Sequence, residues 1–190
     1  MTRALHPELW WYLARATGIT AWVASLGSLL AGLALATRAL GSRPRGPWLL
    51  DLHRGLAGVT VAFTGLHVAA LVADSYLHFG AVELLVPFTS GWRPLAVGVG
   101  VLAMWLLLAV EVSSLAMKRL PRAVWRAVHL SSHLAAVLAT AHALTAGTDA
   151  GHPAVVATAV GAVAAATFLL AYRAVGPGRA GGRAARPAGA

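Results

Sequence analysis

Apolar and polar residues are segregated along this chain into long blocks, so the pattern that organises it is one of whole segments. Five apolar runs cover residues 9–37, 52–72, 95–117, 123–146 and 154–172, and short connectors rich in Arg, Gly and Pro separate them. The first opens on Leu9, Trp10, Trp11 and Tyr12, an aromatic edge of the kind found at membrane interfaces, and Arg15 can snorkel outward from it. Residues 16–36 then carry no charge. At 1.5 Å per residue this stretch makes a helix of about 30 Å, one hydrocarbon thickness. The block pattern predicts an all-α fold, an integral membrane bundle of five transmembrane helices.

Composition agrees. Of 190 residues 58% are hydrophobic and only 11% charged, which is too apolar for an ordinary soluble domain. The formal charge of +9 would suggest nucleic acid if it formed one soluble face, but the basic residues sit in the connectors. Arg38, Arg43, Arg45 and Arg54 flank the first connector, Lys118, Arg119, Arg122 and Arg126 the third, and Arg173 begins a basic tail. The second connector carries Asp74, Glu83 and only Arg93, and the fourth carries Asp149. This alternation predicts an N-terminus outside and a C-terminus in the cytoplasm, in the cell inner (plasma) membrane. No nucleic-acid partner is expected, and membrane lipid is. Residues 1–175 form one membrane domain on this reading, and 176–190 a disordered basic cytoplasmic tail. The N-terminus lacks the features of a cleavable signal.

The chain has no cysteine, which excludes disulfides, iron–sulfur clusters and thiolate-ligated haem, and leaves imidazole as the strong ligand for a transition metal. His53 and His67 lie in the second run, 14 residues apart, and His129 and His142 in the fourth, 13 apart. Histidine is costly in lipid and is the commonest metal ligand. Runs two and four point the same way across the membrane, so His53 meets His129 at one depth and His67 meets His142 at another. The two levels are about 20 Å apart, which suits two stacked metal centres, with haem as the candidate.

A 14-residue step leaves two side chains within about 40° of one helix face, whereas a 13-residue step separates them by about 220°. Run four must therefore bend, bulge or curve for both of its histidines to serve. His133, one turn after His129, has no partner at its depth. His6, His78 and His152 read as loop residues.

Around these pairs, Arg54, Arg122 and Arg126 are placed to meet anionic groups at the inner level, or simply follow the positive-inside pattern. Arg15 and Arg93 are the outer candidates. Gly55, Gly58 and Gly65 suit a flat ring or helix packing, and Phe63 lies between the two levels. Glu111, inside run three, suits an ion pair with Arg54 or Arg126, or a proton route. The apolar stretch at 80–88 is expected to cover the outer level.

With these pairs and motifs in hand, RATGITAW in run one, LHRGLAG and LHVAALVAD in run two and LPRAVWRAVH leading into run four, the chain resembles the ferric reductase-like transmembrane superfamily. That superfamily includes ferric reductases, the NADPH oxidase membrane domain and the haem-binding subunit of the periplasmic methionine sulfoxide reductase system. The resemblance implies two haem b groups, the inner held by His53 and His129 and the outer by His67 and His142. Electrons would pass to an acceptor outside, with an extracytoplasmic protein as one candidate. No glycine-rich phosphate loop follows a strand, so no flavin or NAD(P) site is expected in this chain. A separate flavoprotein reductase or quinol is the implied donor. The leading expectation is an electron-transfer subunit of an oxidoreductase. The alternatives are a self-sufficient ferric or oxygen reductase, and a histidine-based metal or proton transporter.

Overall fold

The computed structural model of the chain describes residues 7–39, 45–74 and 79–175. His6, Arg43, His78 and the tail at 176–190 lie outside the described residues. Among those described, all regular structure is helical: α1 Pro7–Thr37, α2 Arg45–Ala73, α3 Ala81–Leu85, α4 Pro94–Leu115, α5 Arg122–Leu130, α6 Ser132–Ala146 and α7 Pro153–Val175. Five of these segments are long and apolar enough to cross a membrane: α1, α2, α4, α5 with α6, and α7. The chain is thus an all-helical multi-pass membrane protein, with outward faces such as Leu95, Val112, Val160 and Phe168 presented to lipid.

Prolines mark the helix starts. Pro7, Pro94 and Pro153 each occupy the first helical position, where a missing N–H leaves no bond unmade. The second span begins at Arg45, well before residue 52, because Pro47 falls in the first turn, where it is tolerated.

α1 is the central element. It packs along the length of α2 and also against α6 and α7, while α4 packs chiefly on α6. Trp22 and Leu26 of α1 meet Ala136 of α6 and Ala159 of α7 in a small-residue core that brings the backbones close. Trp22 Nε1 donates to Thr140 Oγ1 at 3.0 Å, tying α1 to α6. Two buried hydroxyls find partners within their own helices, Thr60 Oγ1 donating to the Leu56 carbonyl at 2.8 Å and Ser113 Oγ to that of Val110 at 2.9 Å, whereas Ser28 Oγ of α1 donates across to the His53 carbonyl of α2 at 3.1 Å.

One end of the bundle is tied by arginines. The Arg15 guanidinium makes a bidentate ion pair with Asp149, and Arg93 Nη1 donates to the Thr145 carbonyl at 2.7 Å. These contacts give Arg15 and Arg93 protein partners of their own. At the same end the connector carrying α3 is ordered by Thr89 Oγ1, which donates to the Val86 carbonyl at 2.9 Å, and by Trp105 Nε1, which donates to that of Leu85 at 2.9 Å.

The fourth span is not one straight helix. It breaks at Ser131, between α5 and α6. There the Ser131 N–H reaches the Val128 carbonyl at 3.0 Å and its Oγ donates to the same carbonyl at 2.7 Å. A bond three residues back winds the chain by about 120° per residue against about 100° in an α-helix. The change has the sense required to bring residues 13 apart toward one face.

Candidate functional site

α2 and the α5–α6 span stand on either side of a cavity of about 1640 Å³, flanked by α1 and α4. Single-ligand sites usually measure about 300–1,000 Å³, so this space suits more than one large group. Its walls between the histidine levels are apolar or small, among them Ala103, Met104, Leu107 and Ala139, with Thr60 and Thr64. His53, His67, His129 and His142 all line it.

The histidines meet in the two pairs expected from depth. The ring centres of His53 and His129 are 6.0 Å apart, those of His67 and His142 6.4 Å, with interplanar angles of 77° and 76°. A metal between two imidazole nitrogens, at about 2 Å from each and with each nitrogen about 1 Å from its ring centre, requires centres about 6 Å apart.

Three of the four rings are aimed by a bond at the other nitrogen. His67 Nδ1 donates to the Ala14 carbonyl at 2.7 Å, His53 Nδ1 to that of Ser28 at 2.8 Å and His142 Nδ1 to that of Ala96 at 2.8 Å. Donation from Nδ1 leaves the lone pair on Nε2, the tautomer a metal needs, and such bonds also raise ligand basicity.

The same three rings share a second feature. A Cβ on Gly18 would lie 2.9 Å from His67 Nδ1, one on Gly32 3.2 Å from His53 Cε1, and one on Gly100 2.5 Å from His142 Nδ1. In every case the glycine follows the accepting carbonyl by four residues: Ala14 and Gly18, Ser28 and Gly32, Ala96 and Gly100. The carbonyl and the missing side chain lie one helical turn apart, so the ring slides over the glycine to reach the oxygen. Gly18 and Gly32 are 14 residues apart, as are His53 and His67, and the antiparallel helices α1 and α2 carry the two intervals in register.

His129 is held differently. Its Nδ1 has only a long 3.4 Å contact with Ser114 Oγ, and its ring lies on the indole of Trp125, with centres 5.0 Å apart and planes at 21°. Ser114 stands 14 residues after Gly100, in the place of a fourth glycine.

Of the charged candidates, Arg54 lines the cavity, whereas Arg126 is exposed on α5 and is not among the lining residues. Arg122 is likewise exposed and off the lining, and Lys118 lines the cavity. Glu111 lines it too, but the expected pairing of Glu111 with Arg54 or Arg126 is not formed. His133 of α6 also lines the cavity, its Nδ1 bonded to the Leu130 carbonyl at the end of α5, 3.0 Å away. His152 Nδ1 accepts from the Ala154 N–H at 3.3 Å at the start of α7. A Cβ on Gly55, Gly58 or Gly65 would meet nothing within 4 Å, and neither these glycines nor Phe63 line the cavity. Phe79, Leu84 and Trp92 of the α3 connector do, beside the His67–His142 end.

The site therefore offers two pairs of facing imidazoles in a largely apolar cavity, each able to fill two opposite coordination positions and leave the plane between them to another ligand. Among the described residues no three His, Cys, Asp or Glu side chains converge, as a metal bound by protein alone would need. Compared with family models, with curated proteins and with solved structures, the chain matches none, so the reading of this site rests on its own geometry.

Proposed function

We propose that the chain is a dihaem b-type membrane cytochrome, carrying single electrons from a cytoplasmic flavoprotein reductase or a quinol to an acceptor on the outer face. In this role it is the electron-transfer subunit of an oxidoreductase of the ferric reductase-like kind. The observation that carries the reading is the repeated 6.0 and 6.4 Å separation of facing imidazoles inside one large apolar cavity. Each level offers two imidazoles and, among the described residues, no further protein ligand, a donor set that would suit a planar macrocycle. His53 with His129 would hold the inner haem, His67 with His142 the outer one.

Haem held by these four histidines would supply one-electron chemistry, suited to electron transfer more than to direct binding of a substrate. The protein's part is positional. The carbonyls of Ala14, Ser28 and Ala96 fix three rings in orientation and tautomer, so little rearrangement accompanies a change of charge at the metal. The walls between the levels are mainly apolar, with Thr60, Thr64 and His133 among them. Arg54 and Lys118 line the His53–His129 end, where carboxylates of the macrocycle would meet them. The basic connectors around Arg38, Arg54, Lys118–Arg126 and Arg173 orient that end toward the cytoplasm in an inner (plasma) membrane.

The deciding measurement is the visible spectrum of protein purified from haem-replete cells. A Soret band is expected, with pyridine haemochrome giving two haems per chain. Colourless protein, or a band unchanged when all four histidines are replaced by alanine, would refute the proposal.

A further inference from the structure

Three of the four histidines are held by the same device and the fourth is not. At His53, His67 and His142 a backbone carbonyl accepts from Nδ1, and a glycine one turn later lets the ring approach. By position on α4, the fourth device would use Ser114 as its glycine and the Val110 carbonyl as its acceptor. Ser114 carries a side chain toward the ring, and His129 Nδ1 makes no bond to the Val110 carbonyl. The 3.4 Å contact with Ser114 Oγ is at the long limit of a hydrogen bond and constrains the ring little.

What remains is Trp125. It lies one turn before His129 on α5, and its indole covers the imidazole almost face to face. Its Nε1 is buried and bonds to none of the described residues, so its contact with His129 is made by the flat face.

We propose that Trp125 is the positioning residue for His129, orienting the imidazole by stacking in place of the carbonyl and glycine used at the other three. The inner pair is therefore built from one rigidly bonded ring, His53, and one stacked ring, His129, whereas the outer pair has two bonded rings. The difference makes His129 the most easily displaced of the four imidazoles and the inner site the one that depends on a single aromatic side chain.

This inference rests on the cytochrome reading, and the test separates the two. The full-length chain, W125A and W125F are purified from haem-replete cells. Haem per chain, the low-spin electron paramagnetic resonance signals and the rate of haem transfer to excess apomyoglobin are measured. Loss of a residue that orients a metal-bound histidine typically weakens the site about 10- to 100-fold. W125A is expected to lose one of two haems, with one low-spin signal gone and the other unchanged. W125F retains a flat face without the indole N–H, and is expected to keep both haems and both signals. Two stably held haems with both signals unchanged in W125A overturn the proposal. So does loss of both haems in W125A, which would make Trp125 a general support of the fold, and so does loss of the inner haem in W125F. Colourless wild-type protein overturns the cytochrome reading and this inference together.

Discussion

Gly100 is the position where a single methyl group should do most harm to the site and least to the fold. A Cβ there would lie 2.5 Å from His142 Nδ1, 2.7 Å from Cε1 and 2.9 Å from Cγ. Non-bonded heavy atoms prefer about 3.5–4.0 Å, so in G100A the ring must retreat by about 1 Å. It cannot do so and keep its 2.8 Å bond to the Ala96 carbonyl. Losing that bond costs about 0.5–1.5 kcal/mol, and forcing a methyl group into a filled contact about 1–3 kcal/mol. Together these come to about 2–4 kcal/mol, or roughly 30- to 1,000-fold in affinity at the His67–His142 pair at 1.4 kcal/mol per tenfold. The helix itself should not suffer, since alanine is the better helix former by up to about 1 kcal/mol. The series G100A, G18A, G32A and G58A grades the effect, because the shortest contacts are 2.5, 2.9 and 3.2 Å for the first three and none within 4 Å for the last. Haem per chain and the low-spin signal of the affected centre are expected to fall in that order of severity, with G58A indistinguishable from wild type. Full retention of the outer centre in G100A, or equal loss in G58A, would refute the reasoning.

The remaining predictions follow from the same contacts. H67A and H142A should each abolish the outer signal, and the double variant should add nothing further, if the two rings serve one centre as proposed; additive losses in a haem titration would separate them. W22F removes the bond to Thr140 Oγ1 and should destabilise the chain by about 0.6 kcal/mol, whereas W22A, which opens a hole in the α1–α6–α7 core, should cost about 3–5 kcal/mol, both read by denaturant unfolding in detergent. The chain has no cysteine of its own, so single cysteines report topology directly. V82C is expected to react with an impermeant maleimide in intact cells and R119C only after permeabilisation, and the reverse pattern would invert the proposed orientation.

How much of this is written legibly in the sequence depends on which physical signal carries it. The five spans follow from apolar length, and the two histidine pairs from depth. The break at Ser131 is required by the 13-residue step, since a straight helix would turn His129 and His142 apart. What cannot be read is which side of an all-apolar helix faces the cavity, because such helices lack the polar stripe that marks an outer face. Gly55, Gly58 and Gly65 sit on the histidine helix and by position suit a flat ring, yet nothing packs on them, and the glycines that matter are on α1 and α4. Gly18 and Gly32 read alone as ordinary helix packing. The signal that distinguishes them is their 14-residue interval, equal to that of His53 and His67. Arg54 and Arg126 are equivalent by position in the chain, but only Arg54 lies on the cavity wall, a difference of helix face rather than of depth. Trp125 carries no sequence signal beyond being an aromatic one turn from a histidine.

The matched intervals on α1 and α2 act as a ruler cut twice. Because each histidine of α2 is seated against a glycine of α1, the distance between the two levels is stored in both helices at once. A deletion or insertion of one residue within either interval would throw one histidine off its glycine while leaving the other seated. Only the same change made in both helices could preserve the two seats. Length variation is free in the connector between Gly32 and His53, outside both intervals, up to the limits of helix packing. Drift in the spacing of the two histidine levels would thus require paired changes in distant parts of the chain, and the separation between them is protected from gradual alteration one residue at a time.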